Sequence, residues 1–255
     1  MIPVLAIIQA RMSSSRFPGK ILAPLLGRPM LQWQLERVRR AALISDILLA
    51  TSVDTSDDRV EDFCGEAGIS CFRGSLEDVL DRFYRAAKTK TPENVVRLTG
   101  DCPLADPDVI DRVIRAHLDG NYDYTSNVNP PTFPDGLDVE VLRFGSLEAA
   151  WKEAMLPSER EHVTPFIRNR PDRFSIFNVA SERDVSQLRW TVDEPDDLQF
   201  VESVYSSLLP YERNFSMNDV LRLLEEHPEI REINASHRRN EGYLRSLEKD
   251  RRFVP

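Results

Sequence analysis

VLAIIQARMSSSRFPGK, residues 4–20, is the stretch on which the fold turns. Five apolar residues, Val4 to Ile8, lead at once into Arg11, Arg16 and Lys20, set among three serines, a proline and a glycine. A short unbroken apolar run reads as a strand buried on both faces, the condition of a parallel sheet covered by helices. A cationic, hydroxyl-rich loop directly after such a strand lies where open parallel sheets collect ligands, beyond the carboxyl ends of the strands.

The pattern repeats outward from there. Asp46–Ser52, Ile69–Arg73 and Asn94–Thr99 read as further strands, and amphipathic segments lie between them: from about Pro29, over Asp58–Glu66 closed by Gly68, and from Ser75 to Lys88. Pro107–Leu118, capped by Asp106 and stopped near Gly120, follows the fourth strand. Strand and helix alternating at this spacing predict right-handed crossovers and an α/β fold with a mostly parallel central sheet flanked by helices. Beyond residue 120 the pattern shifts. Tyr122–Ser126, Leu137–Leu142, Phe174–Val179 and Leu188–Val192 read as strands, Gly145–Met155 and Pro195–Leu209 as helices, and NVNPPTFP before Asp135 as a loop. Residues 211–255 are charged and mostly helical. The expected organisation is one domain, with a nucleotide-binding half at 1–120, a second half at 121–210 and a helical extension at 211–255.

With 255 residues, 41% of them hydrophobic, the chain can bury a substantial core. A net charge of −9 argues against nucleic acid or an anionic membrane as partner, so any anion site is local. No signal peptide and no run of about 18 apolar residues is seen, which sets the expectation of a cytoplasmic protein. Three cysteines without a C-x-x-C pair suggest neither a disulfide framework nor a zinc site.

Three hydroxyls, backbone N–H groups made accessible by Gly19 and three cations suit a polyanion such as a triphosphate. By residue type alone a solvated basic loop fits equally well, and neither G-x-x-x-x-G-K-[ST] nor G-x-G-x-x-G is present. Spacing and order separate the two readings. Arg11-x-x-x-x-Arg16-x-Pro18-Gly19-Lys20 after a first strand resembles the signature of sugar-activating cytidylyltransferases, the enzymes that make CMP-3-deoxy-manno-octulosonate and CMP-sialic acids. Arg97-Leu98-Thr99-Gly100-Asp101-Cys102-Pro103-Leu104 is similar to that family's fourth-strand motif, and Asp193-Glu194-Pro195-Asp196-Asp197-Leu198 to its C-terminal D-x-P-x-D-L. Asp135–Val141 (DGLDVEV) and Arg160–Pro165 (REHVTP) resemble the spore coat polysaccharide biosynthesis protein F type.

The resemblance implies a glycosyltransferase-A-like nucleotidyltransferase fold and a Mg²⁺-dependent transfer of CMP from CTP to an acidic or unusual sugar, with release of pyrophosphate. It implies catalytic roles for Arg11, Lys20 and Asp101, with Asp101 and Asp193 as metal ligands. Nucleotide contacts fall on Gln9, Ala10, Arg11, Ser13, Ser15, Arg16, Lys20, Arg73 and Ser75. Relatives pair through their second halves, so a homodimer is expected, with residues 140–180 in contact.

Local sequence leaves several of these open. Asp193 also fits as a cap of the helix beginning Glu194-Pro195, Ser75 as an N-cap, and Arg16 as a brace of its loop. Asp138 and Glu140 alternate on a predicted strand and face one side, where they bind sugar hydroxyls or form an exposed polar face. Glu161 and His162 fit a structural helix start. The loop before Asp135 departs from the sialate and octulosonate enzymes, which puts the acceptor sugar in question. An acceptor bearing phosphate or phosphonate, or a non-catalytic nucleotide-sugar-binding protein, are the alternatives.

Overall fold

The computed structural model describes residues 3–237, 239 and 241–253. Seven strands form one sheet: β1 (Val4–Gln9), β2 (Asp46–Ser52), β3 (Ser70–Gly74), β4 (Asn94–Thr99), β5 (Tyr124–Ser126), β6 (Glu140–Arg143) and β7 (Ile176–Asn178). Their spatial order is β3-β2-β1-β4-β6-β5-β7. The first four are parallel, β6 runs antiparallel to both β4 and β5, and β7 pairs parallel with β5. The mostly parallel sheet expected from the sequence is therefore present.

Burial on both faces explains the unbroken apolar runs. Val4, Ala6 and Ile8 of β1 pack into one core and Leu5 and Ile7 into the other. The first core is closed by α1 (Met30–Val38), α2 (Asp58–Ala67), α4 (Pro107–Gly120), α8 (Pro195–Leu208) and α9 (Met217–Glu226). The second is closed by α3 (Val79–Lys88), α5 (Phe144–Glu153) and α7 (Pro165–Arg168), with the short α6 (Pro157–His162) beside α3. Burying one such aliphatic side chain stabilises by about 1.5–3 kcal/mol, so the central strand is held from both sides. A four-residue helix α10 (Pro228–Arg231) and α11 (Glu241–Asp250) complete the described chain, and α11 packs on α6. They fall within the extension expected at 211–255, of which residues 238, 240, 254 and 255 lie outside the described residues. No described helix is long and apolar enough to cross a membrane.

Three local expectations are corrected. Helix α3 starts at Val79, because Asp78 accepts from the Asp81 N–H at 2.9 Å as its cap; Ser75 only closes the turn before it, accepting from the Asp78 N–H. Asp138 precedes β6, which begins at Glu140, so the two acids do not alternate on one strand. Leu188–Val192 forms no strand beyond a single bridge between Arg189 and Asp135. Its backbone instead bonds two loops: the Asp135 N–H donates to Leu188 O, the Trp190 N–H to Asp135 O, and the Val192 N–H to Asp101 O at 2.8 Å. Gly136, with φ +107°, makes this approach possible, since a Cβ there would lie 2.6 Å from the Thr191 nitrogen.

Candidate active site

The site grows from the carboxyl end of β1. Asp57, fully buried, accepts from the Met12 N–H at 2.7 Å and from the backbone and hydroxyl of Ser52, fixing where the cationic loop leaves the sheet. The loop closes on itself when the Gly19 N–H donates to Met12 O at 2.8 Å; Gly19 takes φ +76°, a conformation that favours glycine. That turn delivers Lys20 inward, where only 7% of it is exposed.

Lys20 Nζ donates to Asp101 Oδ2 at 2.8 Å, to Asp193 Oδ1 at 2.7 Å and to Val192 O at 2.7 Å. Residues separated by more than 80 and 170 positions thus meet at one nitrogen. Burial disfavours the Lys20 ammonium, yet the two carboxylates outweigh it and hold the lysine above its ordinary pKa. Burial likewise tends to raise Asp101, and Lys20, with bonds from Thr99 and Cys102, brings it down to about 2.

Asp193 does not cap the helix beside it. The cap of α8 is Glu194, and Asp197 accepts from the N–H groups of Asp193 and Glu194 at 2.9 and 3.0 Å. Relieved of capping, the Asp193 carboxylate faces Lys20 and ion-pairs with Arg16 at 2.8 Å. Arg16 thereby braces the loop against the acid. Asp197 is in turn gripped by Arg189 at 2.8 and 2.9 Å and by Asn234 at 2.8 Å, which fixes the whole D-x-P-x-D turn. Gln34, fully buried on α1, donates to Thr99 O at 2.7 Å and accepts from the Cys102 N–H, holding the loop that carries Asp101.

Arg16, Lys20, Asp101, Arg189 and Asp193 line a cavity of about 550 Å³. Of the expected nucleotide contacts, Gln9, Ala10, Arg11, Ser15, Arg16 and Lys20 line it, joined by Ser14. Ser13 does not; its neighbour Ser14 takes that place while Ser13 faces solvent. Arg73 and Ser75 also lie outside the wall. Arg73 ion-pairs with Asp58 at 2.7 Å and Glu61 at 2.8 Å and donates to the Ser52 carbonyl, tying the start of α2 to β3. Asp138 lines the cavity, paired with Arg239; burial pushes its carboxyl up. Glu140 lines it too but is satisfied by the protein, accepting from Arg97, from Tyr124 at 2.5 Å and from Thr164 at 2.6 Å. Its role is to hold Arg97, which also donates to Gln9 at 3.1 Å.

Sequence reasoning missed the opposite wall. Tyr243, Arg245, Ser246 and Lys249 of α11 border the cavity, as do His162 and Arg168. The Arg168 guanidinium lies 4.6 Å from the Tyr243 ring, and the Ser246 hydroxyl joins Glu161 at 2.8 Å to His162 at 2.9 Å. Arg82, on α3, is a second omission: 2% exposed, at the wall of the cavity that Arg11 also lines and within reach of its charge. Only its place in an amphipathic helix was legible, and that gives no direction to its fork.

The donor set around Lys20 Nζ consists of hard oxygens: two carboxylates and a carbonyl. Among the described residues no group of three or more acids, histidines and cysteines joins them. Such a pair fits a divalent cation of the magnesium kind, which keeps waters and takes its remaining ligands from substrate phosphate.

A parallel sheet ending in a cationic loop, with two acids brought to the same cavity, is an arrangement suited to the class of enzymes that bind and transfer nucleotides. Residues 5–225 match the family described as cytidylyltransferase. The spore coat polysaccharide biosynthesis protein SpsF of Bacillus subtilis is 37% identical over 234 residues, covering 89% of this chain and 95% of that one. The 3-deoxy-manno-octulosonate cytidylyltransferase of Pelobacter propionicus is 38% identical over 116 residues, 46% of this chain and 45% of that one. Among solved structures, a cytidylyltransferase from Leptospira borgpetersenii superposes with TM-score 0.86 at 34% identity, covering 91% of this chain and 97% of that one. The chain belongs to the cytidylyltransferase family and is a nucleotidyltransferase enzyme.

Proposed function

We propose that the protein transfers CMP from CTP to a hydroxyl of an acidic or otherwise unusual sugar, in a Mg²⁺-dependent reaction that releases pyrophosphate and serves the synthesis of a surface polysaccharide or glycan. The observation that carries this reading is Lys20 Nζ at 2.7–2.8 Å from both Asp193 and Asp101 on the cavity wall. The acceptor oxygen bonds to the α-phosphorus, the bond from that phosphorus to the bridging oxygen breaks, and the electron pair leaves with pyrophosphate. Such a transfer needs alignment and charge neutralisation more than covalent help. Arg11, Ser14, Ser15 and the backbone near Gly19 cradle the triphosphate. Lys20 moves from its acids onto the departing pyrophosphate. Asp101 and Asp193 would hold a magnesium ion, which when bound would supply charge neutralisation at the phosphates. Asp138, raised by burial, orients the acceptor hydroxyl and receives its proton.

The far end of the cavity supports an anionic acceptor. Arg97 donates to Glu140, whose charge also acts on Arg168, and α11 adds Arg245 and Lys249, the latter ion-paired with Glu161 at 3.1 Å. Relatives named for spore coat polysaccharide biosynthesis and for 3-deoxy-manno-octulosonate support a sugar. The test is pyrophosphate release from CTP with a panel of 2-keto-3-deoxy sugar acids, sugar phosphates and phosphonates. At least one acceptor should turn over with Mg²⁺ and stop with Asp101→Ala, while silence across the panel refutes the reading.

A further inference from the structure

We propose that Arg82 is a phosphate-binding residue, receiving one phosphate group of the nucleotide between its own guanidinium and that of Arg11. The inference rests on the nucleotidyltransferase reading and adds a residue to it. Arg82 is among the largest fully buried side chains, and it lines the cavity rather than the core. Its Nη1 donates to Ser75 O at 2.6 Å, while Nε has no partner. No carboxylate forms an ion pair with it among the described residues; Asp57 and Asp78 act only at longer range.

A buried guanidinium without a counter-charge is expensive, and a second cation makes it more so. Burial first, and Arg11 second, push the Arg82 pKa down to about 10, the direction expected where positive charge is in excess. The protein nonetheless holds the side chain in place. A Cβ on Gly74 would lie 3.0 Å from Arg82 Cγ and 3.1 Å from its Cβ, so the absent side chain at Gly74 makes room for the arginine stem. Stem packed, Nη1 bonded to the carbonyls of Ser75 and Leu76 and the buried Nε without a partner, the guanidinium is held at a cavity wall with donor capacity left for a ligand. An arginine fork suits the planar spread of phosphate oxygens, and an anion there relieves the repulsion with Arg11.

The experiment compares wild type with Arg82→Met and Arg82→Lys in the full chain, using CTP, inorganic tripolyphosphate and cytidine as probes by calorimetry, with the melting temperature of the unliganded protein alongside. The expected result for Arg82→Met is an unchanged or raised melting temperature, because an uncompensated buried charge is gone. CTP and tripolyphosphate should bind about tenfold or more weakly, by similar factors, as loss of one charge-assisted contact implies. Arg82→Lys should fall between, and cytidine should be unaffected. Unchanged CTP and tripolyphosphate affinities overturn the proposal. So does weakened cytidine with intact tripolyphosphate, which places Arg82 on the base, and so does a lowered melting temperature in both variants with binding lost only in proportion. Wild-type protein that binds neither CTP nor tripolyphosphate overturns the underlying reading as well, a result distinct from failure of the variants alone.

Discussion

Lys20 stands where two acids from distant parts of the chain converge, and its contribution to stability and to chemistry share that one contact. Replacing it with Met leaves Asp101 without its cation and Asp193 with only Arg16 and Arg189. Loss of a partner from a fully buried pair costs about 3–5 kcal/mol. Here both acids keep 21–23% exposure, which lowers the expected destabilisation to roughly 2 kcal/mol, readable by urea unfolding. Pyrophosphate release should fall by about a hundredfold or more, with Lys20→Arg restoring part of the stability but little of the rate. A second residue contributes to the acid sensitivity of the fold. His117 is buried between Thr125 and Asn94, and burial lowers its pKa from 6.5 to about 4. The unfolded chain takes up this proton at higher pH than the folded one, so stability is full above about pH 6.5 and falls as pH drops toward 4. A shift of this size corresponds to an upper bound on the order of 3 kcal/mol, and His117→Gln should flatten the melting temperature between pH 7 and 4.5 relative to wild type.

At the scale of elements, the decisive one is the segment 188–193, which looks like a strand by composition and is used as a clamp. Its backbone is shared between the 135–138 turn and Asp101, and only Gly136 lets the chains come so close. Gly136→Ala introduces strain of about 1–3 kcal/mol and separates Asp193 from Asp101. The expected outcome is a loss of activity much larger than the loss of helical signal, seen by assaying turnover and circular dichroism on one preparation. Helix α11 offers a test of the opposite wall. It lies beyond the family match at 5–225, yet it carries Tyr243 against Arg168. Tyr243→Ala should raise the acceptor KM while leaving CTP affinity within about twofold, since contacts remote from the triphosphate act on the acceptor alone. Equal losses for both substrates contradict that division.

For the molecule as a whole, a ligand that grips the first loop, the Asp101 turn and the Asp193 turn at once couples both halves of the sheet. CTP with Mg²⁺ at 100 times Kd should therefore stabilise the fold by about 2.7 kcal/mol, and UTP, GTP and ATP at equal concentration by less, as differential scanning calorimetry would show. We propose that the protein forms a homodimer. β7 is an edge strand of the sheet, and Phe177 on it is 40% exposed and stacked 5.0 Å from Tyr122. A homodimer across residues 140–180 would cover that edge, and sedimentation of Phe177→Glu against wild type should show the variant dissociating.

The amino-acid sequence by itself determined the sheet, because burial on both faces of β1 requires apolar residues at every position and leaves a mark no loop imitates. It marked the cationic loop too, while the expectation that Arg11, Lys20, Asp101 and Asp193 share one cavity came from the resemblance to cytidylyltransferases rather than from local spacing. Only the tertiary structure decided that Asp193 is relieved of capping by Glu194 and Asp197, that Arg73 serves α2 while Arg82 faces the cavity, and that α11 forms a wall. The physical reason is the same in each case: which partner a long charged side chain finds depends on what the fold brings within about 3 Å of it. Periodicity fixes the face a residue occupies, and contact across more than a hundred residues of chain fixes what it does there.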